Sequence, residues 1–112
     1  MPLGVAAITE RAPVIGYLGL GANLGDPVAQ VREALERLND AAEVEVTRVS
    51  SLYRNPPLGP ENQPWYVNAV ARVRTRLGPE ELLQLLQQIE TAMGRLRGEH
   101  WGPRVIDLDL LL

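Results

Sequence analysis

Arg104-Val105-Ile106-Asp107-Leu108-Asp109-Leu110-Leu111 reads as a β-strand, and the fold turns on it. Side chains of a strand alternate between faces. Ile106, Leu108 and Leu110 therefore share one face, and Asp107 and Asp109 share the other. The apolar side needs covering by other elements. The acidic side needs solvent or a cation. Two carboxylates roughly 7 Å apart along a strand suit hydrated Mg²⁺ bridged to a substrate's phosphates. The plainer alternative is a wet edge strand whose charges discourage pairing with other sheets.

The segments before it supply the cover. Trp65 to Arg76 alternates over a longer span. Trp65, Val67, Ala69, Ala71 and Val73 fall on one face, and Tyr66, Asn68, Val70, Arg72 and Arg74 on the other. Val14 to Leu20 is a short apolar run that predicts the first strand, and Gly21-Ala22-Asn23-Leu24-Gly25 predicts a glycine-rich turn. Asp26 as N-cap and Pro27 at the first helical position open a helix. Val28, Val31, Leu35 and Leu38 carry it at helical spacing to about Asn39. Val44 and Val46 alternate with Glu43, Glu45 and Thr47 in a second strand. The alternation breaks near Arg48-Val49, which predicts a bulge or twist. Asn55 to Pro64 holds four prolines and a glycine, a rigid extended loop. Gly78-Pro79-Glu80-Glu81 starts a second helix with acids in its first turn. Its apolar stripe is Leu82, Leu85, Leu86, Ile89 and Met93, and Gly94 can end it. Arg95 to Gly102 forms a second loop before the last strand.

The order β-α-β-β-α-β is the ferredoxin-like arrangement. The expected fold class is α+β, a four-stranded antiparallel sheet with two helices on one face. The apolar faces of strands three and four go to the helices. The opposite face then displays Tyr66, Asn68, Arg72, Asp107 and Asp109 together. Residues 14–112 form this core, and residues 1–13 read as a flexible leader.

Composition narrows the function. All eleven basic residues are arginine, so lysine Schiff-base chemistry and the phosphate-loop lysine are excluded. Arginine remains suited to bidentate phosphate recognition. A net charge of -3 argues against a broad nucleic-acid surface. No apolar run is long enough to span a bilayer, and the leader, with Glu10, Arg11 and two prolines, does not resemble a signal peptide. The lack of cysteine excludes disulfides and thiolate metal sites, and a cytoplasmic location is expected.

Several motifs admit two readings. Gly19-Leu20-Gly21-Ala22-Asn23-Leu24-Gly25 has the look of a dinucleotide fingerprint. Its third glycine is one place late, no acid ends the next strand, and the strand order is not parallel; a tight turn into a capped helix accounts for it better. Arg95, Arg97 and Arg104 beside the aspartates are either a salt-bridge network or the cations that phosphoryl transfer needs. Asn55-Pro56-Pro57-Leu58-Gly59-Pro60 with Tyr66 and Asn68 is either a structural connection or a pocket in which an aromatic face and an amide read a flat heterocycle. Gln87 and Glu90, off the apolar stripe, read as solvated, as does His100. Trp101-Gly102-Pro103 reads as a loop anchor.

Together these segments closely resemble the 6-hydroxymethyl-7,8-dihydropterin pyrophosphokinase family of folate biosynthesis. The stretches that carry the resemblance are Leu18 to Asp26, Ser51 to Pro60, Gln63 to Ala69, Gly94 to Arg97 and, most specifically, Trp101-Gly102-Pro103-Arg104-Val105-Ile106-Asp107-Leu108-Asp109. The resemblance implies an enzyme that moves the β,γ-pyrophosphate of ATP onto a pterin hydroxymethyl group, releasing AMP. It implies two Mg²⁺ ions on Asp107 and Asp109, with Arg95 and Arg104 stabilising the transferring group. Tyr66 and Asn68 bind the pterin, with backbone contacts from Asn55 and Leu58. Gln87, Glu90 and Arg97 fall on the ATP side, and Trp101 packs near the substrates when the site closes. Family members continue for roughly a third more chain, so the expectation here is a complete core with little activity alone and self-association through an uncovered last strand. Two other readings stand beside it. One is a truncated, non-catalytic form that acts at most as a binding module. The other is an RNA-recognition module, disfavoured because strand three has no Phe and the chain is acidic.

Overall fold

The computed structural model describes residues 7–56, 65–94 and 106–111. After a 3-10 turn at Ile8–Glu10 come β1 (Val14–Ala22), α1 (Pro27–Asp40), β2 (Val44–Val49), β3 (Tyr53–Asn55), β4 (Tyr66–Thr75), α2 (Pro79–Ala92) and β5 (Asp107–Leu110). β1 is central, with β4 on one side and β5 on the other; β2 and β3 both lie along the far edge of β4. Every pairing is antiparallel. The order β2-β4-β1-β5 is that of a ferredoxin-like α+β fold.

Local chemistry sets the helix ends. The Asp26 carboxylate accepts the Ala29 N–H at 3.2 Å, capping α1. The Glu81 carboxylate reaches back to the Gly78 N–H at 2.8 Å and also accepts from Arg11. These contacts, the Gly78 N–H foremost, hold the Glu81 carboxyl below its ordinary range. Gly94, just past α2, has a φ of +94°, which suits a residue without a Cβ.

The core lies between the helices and one face of the sheet. Leu18, Leu20 and Ala22 of β1, Val67, Ala69, Ala71 and Val73 of β4, and Ile106 and Leu108 at β5 pack against Val31, Ala34 and Leu38 of α1 and Leu82, Leu86 and Ile89 of α2. The period-two pattern of β4 is thus the pattern of its burial.

Some sequence expectations need correction. β1 runs two residues further than its apolar run, because Gly21 and Ala22 still pair with β4. Gly21 is therefore a strand residue, and the turn begins at Asn23. The expected irregularity in β2 falls between Val46 and Arg48. A fifth, short strand, β3, follows it. β2 covers only the C-terminal half of β4, and the remaining edge at Tyr66–Asn68 takes Tyr53–Asn55. Ser50 joins the two pieces: its N–H donates to the Val70 carbonyl and its Oγ accepts the Val70 N–H, each at 2.8 Å. Trp65 is not a core residue; it is half exposed, with the Arg54 guanidinium 5.8 Å from its ring centroid. The Arg11 carbonyl accepts from Arg76 Nε at 3.0 Å. Among the described residues no helix is long and apolar enough to cross a membrane.

Candidate active site

The helices leave the second face of the sheet uncovered, and the candidate site lies there. Cross-strand register brings its residues together. Asn68, Gly21 and Asp107 form one row across β4, β1 and β5. Val70, Gly19 and Asp109 form the next. Adjacent strands are about 4.8 Å apart, so the aspartates face β4 across a gap about two strand spacings wide. In these two rows the middle strand contributes only glycines.

A slot results. Its floor is Gly19 and Gly21, its walls are Tyr66 and Asn68 on one side and Asp107 and Asp109 on the other, and its volume is about 230 Å³. The two glycines are not equivalent. A Cβ on Gly21 would come within 2.8 Å of Asn68 Oδ1, so the Asn68 amide lies in the space that Gly21 leaves. A Cβ on Gly19 would meet only the Leu111 side chain, at an ordinary 3.5 Å. Neither role was read from the sequence, which had placed Gly21 in the turn. The available signal was two glycines at spacing two directly after β-branched and aromatic residues, a strand pattern with one face left bare.

Asp107 is half-buried and Asp109 exposed. Among the described residues no third acid or histidine joins them in a cluster able to hold a metal ion. A hard, strongly hydrated cation such as Mg²⁺ is usually bound by one or two carboxylates together with substrate phosphates. The donor set and the open floor beside it fit that use.

The other expected site residues divide sharply. Asn55, exposed at the end of β3, pairs with Tyr66 and borders the slot. Gln87 is exposed on α2. Glu90 corrects the reading of a solvated residue: it is only 6% exposed, and its Oε2 accepts the Leu108 N–H at 2.9 Å. The sequence signal was the row Leu82-Leu86-Glu90 at spacing four, which puts Glu90 on the buried side of the helix. Arg72 shares the open face, but its Nε is bound to Thr47 Oγ1 at 3.0 Å. Leu58, Arg95, Arg97, His100, Trp101 and Arg104 lie outside the described residues.

Fold and register thus define a ferredoxin-like domain whose open sheet face pairs carboxylates with an aromatic and an amide over a glycine floor. Residues 17–112 match the 7,8-dihydro-6-hydroxymethylpterin-pyrophosphokinase family, and the chain belongs to it. It is 46% identical over 99 residues to the 2-amino-4-hydroxy-6-hydroxymethyldihydropteridine pyrophosphokinase of Haemophilus influenzae, covering 88% of this chain and 62% of that protein. It is 47% identical over 98 residues to the protein of the same name from Bacillus subtilis, covering 88% and 59%. With the one from Pseudomonas aeruginosa the figures are 47% over 96 residues, 86% and 59%. The chain therefore spans about three fifths of the length of these relatives.

Proposed function

We propose that this chain carries the core of an enzyme that transfers pyrophosphate from ATP to 6-hydroxymethyl-7,8-dihydropterin, giving AMP, in folate biosynthesis. The observation that carries the reading is the slot in which Asp107 and Asp109 face Tyr66 and Asn68 across Gly19 and Gly21. Phosphate chemistry on one wall and heterocycle recognition on the other are what this reaction needs in one place. In balanced form, the pterin hydroxyl oxygen bonds to the β-phosphorus and loses its proton. The bond from that phosphorus to the α,β-bridging oxygen breaks, and AMP leaves with the oxygen.

The residues take the following roles. Tyr66 offers an aromatic face to the pterin, and Asn68 hydrogen-bonds its edge, with the backbone of Asn55 and Leu58 completing the contact. Asp107 and Asp109 would hold two Mg²⁺ ions, which neutralise and orient the phosphate oxygens. Arg95 and Arg104 stabilise charge on the transferring group. Gln87 and Arg97 contact the nucleotide, and Trp101 packs near the substrates. Little covalent chemistry falls to the protein; its contribution is placement and charge. The cytoplasm, expected from the sequence, is the compartment that goes with this reading.

The test is calorimetric titration of a non-hydrolysable ATP analogue with and without Mg²⁺, beside an assay of AMP release with the pterin. Magnesium-dependent binding that Asp107→Ala plus Asp109→Ala removes supports the reading; unchanged binding refutes it. Binding without AMP release would favour the binding-module alternative. Pairing of copies through β5 is a separate proposal, read by light scattering. A dimer dispersed by substitutions on that edge supports it, and a monomer at high concentration ends it.

A further inference from the structure

We infer that Glu90 is a positioning residue for the aspartate pair, holding the backbone of β5 between Asp107 and Asp109 from the side opposite β1. The inference rests on the functional reading above and adds to it.

The Leu111 N–H donates to the Tyr17 carbonyl at 2.9 Å, and in an antiparallel pair such bonds recur at every second residue. Asp107 and Asp109, opposite Gly21 and Gly19, are therefore the residues whose backbone faces β1. The Leu108 N–H, between them, points away from the sheet. At an ordinary edge that donor would find water. Here it finds the Glu90 carboxylate, at 2.9 Å and almost sealed from solvent. An apolar residue would have continued the Leu82-Leu86 row into the core. A buried carboxylate is costly to desolvate and persists only where it is well bonded; its bond to an N–H is charge-assisted and about twice as strong as a neutral one.

What this bond secures is a short strand. β5 has four residues and, among the described residues, pairs with the sheet through β1 alone, yet it carries both candidate metal ligands. Held by β1 on one side and by α2 through Glu90 on the other, it presents the two carboxylates at a fixed spacing before phosphate or cation arrives. Such partners behind a ligand set typically change metal affinity or activity by about 10–100-fold when removed.

The test compares Glu90→Ala, Glu90→Gln and Asp107→Asn. Affinity for a non-hydrolysable ATP analogue is measured in Mg²⁺ and in EDTA, and exchange of the Leu108 amide is followed by NMR. Glu90→Ala is expected to lower the Mg²⁺-dependent part of the affinity by about tenfold or more, leave binding in EDTA unchanged, and speed exchange at Leu108. Glu90→Gln keeps an acceptor oxygen and is expected to restore both properties. Equal losses with and without Mg²⁺ would make Glu90 a nucleotide contact and overturn the inference. So would a Gln variant as defective as Ala, or an Ala variant like wild type. If Glu90→Ala does not fold, the Gln variant and the Leu108 amide decide. If Asp107→Asn also leaves the Mg²⁺-dependence untouched, it is the functional reading that fails, and the inference falls with it.

Discussion

Along β1, Leu18, Leu20 and Ala22 are sealed into the core, whereas Gly19 and Gly21, each one residue away, present no side chain to the open face. On the core side Leu18, Leu20 and Ala22 fill the space under the helices, and stability comes from volume removed from water. On the open side the useful property is emptiness, because the slot exists only where β1 is bare. One strand thus serves two purposes through its alternation, and changes on its two sides should have separable effects.

The largest separation is expected from the acids. Asp107→Asn combined with Asp109→Asn should abolish Mg²⁺-dependent nucleotide binding while leaving the core intact, since Asn keeps the size of Asp and an acceptor oxygen. Calorimetry beside a thermal melt reads both. Leu18→Ala should do the reverse, costing about 2–5 kcal/mol in urea unfolding without altering the affinity of the molecules that stay folded. If Leu18→Ala changed affinity and the acid pair changed stability, the faces would not be independent.

A finer contrast lies within the open face. Gly21→Ala drives a methyl group against Asn68 Oδ1. It should weaken binding of a pterin analogue by about tenfold, the equivalent of one lost hydrogen bond. Gly19→Ala meets only Leu111 and displaces no wall residue, so it should weaken binding less than Gly21→Ala. Equal effects in fluorescence titrations would show that Asn68 is not held by the space at Gly21.

The smallest effect lies far from the slot. The Glu81 carboxyl is held below its ordinary value near 4.5 by the Gly78 N–H and Arg11. Its folded form therefore binds a proton less readily than the unfolded chain does. The stability it contributes is present above that ordinary value and is lost as pH falls through the lower, folded one. Melts of wild type and Glu81→Gln should differ near neutral pH and converge in acid, with nucleotide affinity alike in both.

These contrasts also explain what could be read from the sequence. Val67, Ala69, Ala71 and Val73 were legible because burial imposes a period on them, and Asp26-Pro27 because a helix start is local chemistry. The aspartates were legible for the same reason as the core, since their neighbours Leu108 and Leu110 fix the face. Tyr53–Asn55 was not legible, because its pairing depends on which part of β4 the earlier strand leaves free. The fit of Asn68 over Gly21 was not legible either, because register between distant strands has no local signature. Glu90 was misread as solvated because it falls off the apolar stripe. Its row with Leu82 and Leu86 was the sounder guide.

The central position of β1 has a consequence for the order in which the molecule can be made. β1 lies early in the chain, and both its neighbours, β4 and β5, come after the first helix and the β2–β3 edge. A ribosome releases the glycine floor before either wall, so β1 waits with both edges unpaired until β4 and β5 emerge. Pairings between such distant segments also form slowly, because a long loop must close before any contact rewards it. Neither wall of the slot exists when β1 emerges, and the wall bearing the carboxylates is completed only when β5 docks. The site is therefore incomplete until β5 has docked, and a chain stalled before that point carries neither the candidate metal ligands nor the second partner of β1.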